Sequence, residues 1–207
     1  MSQPMINQVK NNNDKRETYA YLLGKYKKAL REQFYFEALM IVYAMQEDRL
    51  RSMLYYLGTF DNRNTIMVSG KVKGDLKKLL KDRYGENAKL SMTTITGKMR
   101  LIQAVISWSE HANENDNEYS IYLKTLKRLM ESVDVDCVTG TLNEIEQWLH
   151  FRNEVIHASM NKNLEALFEG IDERIELGMR LARDLDGYIK EIKKDNSVRK
   201  KLKMGNR

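Results

Sequence analysis

Residues 141–157 read Thr-Leu-Asn-Glu-Ile-Glu-Gln-Trp-Leu-His-Phe-Arg-Asn-Glu-Val-Ile-His, with Leu142, Ile145, Leu149 and Ile156 in an apolar stripe and Arg152 where the next apolar residue is due. Steps of three and four match the roughly 3.6-residue period of an α-helix, so the segment reads as one amphipathic helix. Thr141 and Glu144 have the spacing of a capping box, in which hydroxyl and carboxylate satisfy free amides, and mark its expected start. A cation inside an apolar stripe needs a carboxylate or an anion, because an unpaired buried charge is too costly to keep.

The same periodicity extends outward. Residues 33–57 place Phe36, Leu39, Met40, Tyr43, Leu50, Leu54 and Leu57 at near-helical spacing and end at Gly58, a suitable C-cap. Further helices are expected at 15–31, 75–83, 97–111, 118–133 and 163–194, and the turn-rich stretch 59–74 breaks the pattern. A single Pro, at position 4, and eleven Gly leave few helix breakers. The expectation is an all-α fold, a helical bundle of five to seven helices.

With 207 residues the chain is long enough for one domain that buries a core without disulfide or metal. The only cysteine, Cys137, has no partner in the chain, and no apolar run is long enough to span a membrane, so the expected setting is cytoplasmic. Residues 1–14 are polar and Asn-rich and are expected to be disordered, 15–195 to form the helical domain, and 196–207 a basic C-terminal tail. Residues 189–207 hold eight Lys or Arg against two acidic residues, an excess equal to the net charge of +6 for the whole chain. Two readings of the tail stay open: Lys200 and Lys201 contact an RNA backbone, or the segment is a solvated terminus. A second basic stretch, 71–83, reads as the exposed face of a short helix packed through Leu76, Leu79 and Leu80.

Chemistry concentrates in Arg152-Asn153-Glu154-Val155-Ile156-His157. Arginine offers a planar, permanently charged fork for phosphate oxygens, and histidine titrates near neutrality. Asn153 and His157, four apart, share a helix face, whereas Arg152 and His157 diverge by about 140°. One copy is therefore an incomplete phosphate-handling site, and two copies about a two-fold axis would supply two Arg and two His, which points to a homodimer. Three scattered His and one Cys show no metal-ligand spacing, and there is no Gly-rich phosphate loop or nucleophile elbow, so neither metal nor cofactor is expected.

Arg-Asn-x-x-x-His inside a long helix of an all-helical chain resembles the signature of the HEPN superfamily, the higher eukaryotes and prokaryotes nucleotide-binding domains. The resemblance implies a HEPN-like bundle and a metal-independent endoribonuclease, a toxin or antiviral defence factor, with RNA as substrate, the motif at a homodimer cleft and an antitoxin protein as a further partner. His157 would be general base or acid, Arg152 would stabilise the scissile phosphate, and Asn153 would position the phosphate or the ring. An acidic residue on an earlier helix supports the motif Arg in that family, a role that falls to Glu47, with Asp48 as the other choice. His150 reads as a structural or substrate-edge residue beside Glu146 and Glu154. Two rival readings remain: a non-catalytic HEPN-like module that binds nucleotide, RNA or a protein partner, and a helical scaffold in which Arg152 only fastens two helices by a salt bridge.

Overall fold

The computed structural model describes residues 12–59, 68–112, 120–159, 163–195 and 197–201. Among them the regular structure is entirely helical: α1 (Asn12–Arg31), α2 (Tyr35–Tyr56), α3 (Gly70–Tyr84), α4 (Ile95–His111), α5 (Ser120–Glu131), α6 (Val135–Ala158), α7 (Leu164–Phe168), α8 (Ile171–Asp195) and α9 (Ser197–Lys201). The all-α bundle expected from the sequence is what the chain forms; α7 and α9, of 5 residues each, are single-turn additions to seven longer helices. No helix of the described residues is long and apolar enough to cross a membrane.

Helix α2 is the hub, packing on α8, α1 and α4, while α6 lies on α8, α3 on α4, and α5 touches both α4 and α9. Its sequence suits that position, since Ala38, Leu39, Val42, Leu50, Met53 and Leu54 are all buried and no narrow apolar stripe would cover that many directions. Gln46 is buried with them, and its amide nitrogen donates to the Gly178 carbonyl at 2.9 Å, tying α2 to α8. On the α6 side Gly178 is covered by the Trp148 ring, whose Nε1 donates to the Arg174 carbonyl at 2.8 Å. The absent side chain at Gly178 is what lets α6 and α8 approach there.

Most helix ends follow local chemistry. Gly58 adopts φ 72° after α2, with its amide on the Tyr55 carbonyl and that of Thr59 on the Leu54 carbonyl, the expected C-cap. Helix α3 starts at Gly70 rather than at residue 75, because the Ser69 hydroxyl accepts from the Val72 amide. The Thr94 hydroxyl likewise accepts from the Gly97 amide at 3.0 Å and opens α4.

Four expectations need correction. The capping box at Thr141 and Glu144 is not the start of the motif helix: Asp134 is the N-cap, accepting from the Cys137 amide at 2.9 Å, and Thr141 is buried inside α6, 3.2 Å from the Tyr188 hydroxyl. The long helix expected at 163–194 is two helices, broken at Gly170 with φ 64°. Residues 12–14 are helical, and the remainder of the segment expected to be disordered, 1–11, lies outside the described residues, as do 60–67 of the turn-rich stretch. The tail is not wholly solvated: Val198 and Arg199 are buried, and the Arg199 guanidinium lies 3.5 Å from the Tyr55 ring centroid and donates to the Tyr55 carbonyl at 3.0 Å.

Candidate functional site

Around α6 the residues step by about 100°, and Leu142, Ile145, Trp148, Leu149 and Val155 form the buried side. Arg152 falls in that stripe and is half-buried, as its position in the sequence suggests. Its guanidinium lies over the Tyr43 ring, 4.6 Å from the centroid, with one terminal nitrogen 3.0 Å from the Met40 sulfur and the other donating to Asn153 Oδ1 at 2.9 Å. Its Nε is buried and meets no acceptor among the described residues.

The carboxylates expected to support Arg152 are elsewhere. Glu47 pairs with Lys98 of α4 at 2.8 Å, and the Lys98 side chain is only 4% exposed. Asp48 pairs with Lys15 of α1 at 2.8 Å and accepts from the Tyr19 hydroxyl at 2.5 Å. Arg152 meets α2 at Met40 and Tyr43, a turn or more before these acids, and the two acids point about 100° apart, toward α4 and α1. Burial opposes the ionisation of Asp48, but Lys15, Tyr19 and Arg49 outweigh it and hold the carboxyl below its usual range. A salt bridge fastening Arg152 to another helix is thus absent among the described residues, and its fork is occupied by neutral groups.

Asn143, Glu146, His150, Asn153 and His157 recur at intervals of three and four and make one polar strip along α6. His150, Asn153 and His157 are exposed. Arg152 lies about 140° from His157 around the helix, yet its fork reaches round to Asn153, so motif arginine and motif asparagine are directly joined. His157, one turn beyond Asn153 on the same face, makes no hydrogen bond within the described residues. Glu154 faces solvent. Glu146, offered as a partner for His150, lies instead 3.9 Å from Arg100 of α4.

Lys200 and Lys201 are exposed on α9, but α9 sits on α5 and against Tyr55. Fifteen residues separate Tyr55 from Met40 along α2, which at 1.5 Å per residue is about 22 Å. The two lysines are therefore not brought to the Arg152 end of the bundle.

A second polar cluster adjoins the first half of the strip and is not evident from the motif alone. Gln103 accepts a short hydrogen bond from the Tyr84 hydroxyl and donates from Nε2 to Asn143 Oδ1 at 3.1 Å. The Arg100 guanidinium lies 4.5 Å from the Tyr84 ring centroid, with Nε buried and without an acceptor among the described residues. Gln103 meets Asn143 and Arg100 meets Glu146, so α4 runs antiparallel to α6 and its N-terminal end points toward His150. Beside this cluster a cleft of about 250 Å³ opens between α3 and α4, floored by Leu79 and Ala104 and rimmed by Asp82, Arg83, Tyr84, Gln103 and Ser107. Arg100, Gln103 and Ser107, spaced by three and four, interrupt the apolar run of α4, and that interruption was the available sequence signal. No family model, no curated protein and no solved structure matches the chain.

Proposed function

We propose that the chain is a metal-independent endoribonuclease acting through Arg152, Asn153 and His157 of α6, in line with the HEPN resemblance of those residues. The observation that carries the reading is the Arg152 guanidinium: half-buried, without a carboxylate partner among the described residues, and hydrogen-bonded to Asn153 one turn before an exposed histidine. A cation kept in an apolar stripe beside neutral partners is suited to receive an anion, and phosphate matches its planar fork. His157 removes the proton from a 2′-hydroxyl, the freed oxygen attacks the adjacent phosphorus, and the 5′-oxygen leaves with a proton from a general acid, producing a 2′,3′-cyclic phosphate. Arg152 stabilises the charge that develops on the phosphoryl oxygens.

One copy offers a single exposed His157, and the second proton-transfer group falls to a second copy. Phe36 and Met40 are exposed large apolar residues on the α2 face that meets Arg152, and Phe168 packs edge-on to Phe36. An apolar patch beside an incomplete polar site suits a homodimer. By the same resemblance the setting is that of a toxin or defence factor, with an antitoxin as a further partner.

The test is cleavage of a structured RNA by wild type, His157→Ala and Arg152→Ala, with end mapping and light scattering. Each substitution lowers the rate by about 10²-fold or more with helical content and dimer retained, and EDTA leaves the wild type active. Cleavage that persists in both variants, or that leaves 3′-hydroxyl ends, overturns the mechanism. RNA binding by the wild type without cleavage favours the non-catalytic module.

A further inference from the structure

We infer that the cleft between α3 and α4 is a guanine-binding subsite serving the polar strip of α6. The inference rests on the reading of that strip as an RNA-cleaving face, because the strip is what connects the cleft to Arg152 and His157. The connection is made of named contacts: Tyr84 to Gln103, Gln103 to Asn143, and Arg100 to Glu146, after which the strip continues through His150 to Asn153 and His157. From Asn143 to Asn153 the helix rises about 15 Å, a span that a few nucleotides of extended chain cover.

The chemistry of the cleft selects the ligand. Leu79 and Ala104 give the cleft apolar lining, and the volume of about 250 Å³ admits one nucleobase with part of its sugar. Asp82 is exposed at the rim and has no ion-pair partner among the described residues, although α3 carries six Lys or Arg; the other acid of that helix, Asp75, accepts from Trp108 Nε1 at 3.2 Å. A carboxylate accepts only, so it recognises a base edge that presents two donors side by side, and of the four RNA bases guanine does so through N1–H and the exocyclic amine. Arg83, next to Asp82 on the same rim, supplies donors for the guanine O6 and N7 acceptors. Adenine presents one donor and an acceptor on that edge and leaves the carboxylate half-used.

Binding is measured separately from cleavage, in the His157→Ala background, by fluorescence anisotropy with a labelled single-stranded oligonucleotide carrying one guanine and with its all-adenine counterpart. The guanine oligonucleotide binds about tenfold tighter, and Asp82→Asn removes the preference, so that the two oligonucleotides bind alike. Guanosine monophosphate and adenosine monophosphate form the second arm: GMP binding as tight as that of the oligonucleotide identifies a free nucleotide as the ligand of the same subsite, and weaker GMP binding identifies RNA. Equal affinities for the two oligonucleotides, no binding of either, or a preference that survives Asp82→Asn overturns the subsite. If wild type cleaves no RNA while the guanine preference is present and depends on Asp82, the nuclease reading fails and the subsite stands. If wild type cleaves without guanine at a fixed offset from the cut and Asp82→Asn leaves the cleavage pattern unchanged, the subsite fails and the nuclease reading stands.

Discussion

Replacing Gly178 with alanine tests the contact that holds the motif helix in place. A Cβ at Gly178 would overlap Cε2 and Nε1 of Trp148 and reach 2.8 Å from Cζ2. The indole cannot easily retreat, being buried and pinned through Nε1 to the Arg174 carbonyl. Overpacking of this kind costs about 1–3 kcal/mol, against a gain of about 0.5–1 kcal/mol from replacing a glycine inside a helix. The 2.4 Å overlap puts the cost at the upper end of that range, so the net loss is about 2 kcal/mol, which for a chain of this size lowers the melting temperature by about 4–8 °C. Gly140 is the control, since it lies within α6 with nothing within 4 Å of a built Cβ. Gly140→Ala therefore stabilises by about 0.5–1 kcal/mol, so one substitution at two helical glycines has opposite signs. Thermal unfolding followed by far-ultraviolet circular dichroism reads both. Adding Gly178→Ala to Trp148→Leu, where the indole is gone, costs less than adding it to wild type. A Gly178→Ala protein that melts at or above the wild-type temperature refutes the close crossing of α6 and α8.

Glu47→Gln leaves the buried Lys98 ammonium without its counter-charge and lowers stability by about 1–2 kcal/mol, discounted because Glu47 is itself partly exposed; denaturant unfolding checks this, and an unchanged midpoint refutes it. Arg199→Ala removes the guanidinium from the Tyr55 ring and carbonyl and costs about 2 kcal/mol, whereas Lys201→Ala on the exposed side of α9 changes the melting temperature little. The folded-state pKa of Asp48 is depressed, so its ionised form contributes stability above the unfolded carboxylate range, near pH 4, that is lost as pH falls through the folded value. Unfolding curves of wild type therefore converge on those of Asp48→Asn as pH drops from 5 toward 3, and parallel curves refute the assignment.

Local patterns were legible where they act locally. The period of residues 33–57 and the glycine after them located α2 and its end almost to the residue, because helix propensity and a left-handed cap depend on neighbours within one turn. The motif helix was located by the same means, and Arg152 in its apolar stripe was correctly read as a charge turned inward. Its start was misplaced because two capping patterns compete in residues 134–144; the hydroxyl of Thr141 is spent against Tyr188, 47 residues away. The division of 163–194 into two helices follows from Gly170, whose effect depends on whether the chain must turn there.

The all-helical class followed from the sequence by itself, as did the shared face of Asn153 and His157, because spacing along a helix sets which residues share a face. Only the tertiary structure decided which side chains meet across helices. It assigned Glu47 to Lys98 and Asp48 to Lys15, gave Arg152 the ring of Tyr43, placed Lys200 and Lys201 far along α2 from the motif, and joined Tyr84, Gln103 and Asn143 from three helices. The physical reason is that a helix fixes the directions of its own side chains within a few residues, whereas the partner each direction finds depends on how α2, α4, α6 and α8 pack, and that is settled by burial summed over the whole bundle.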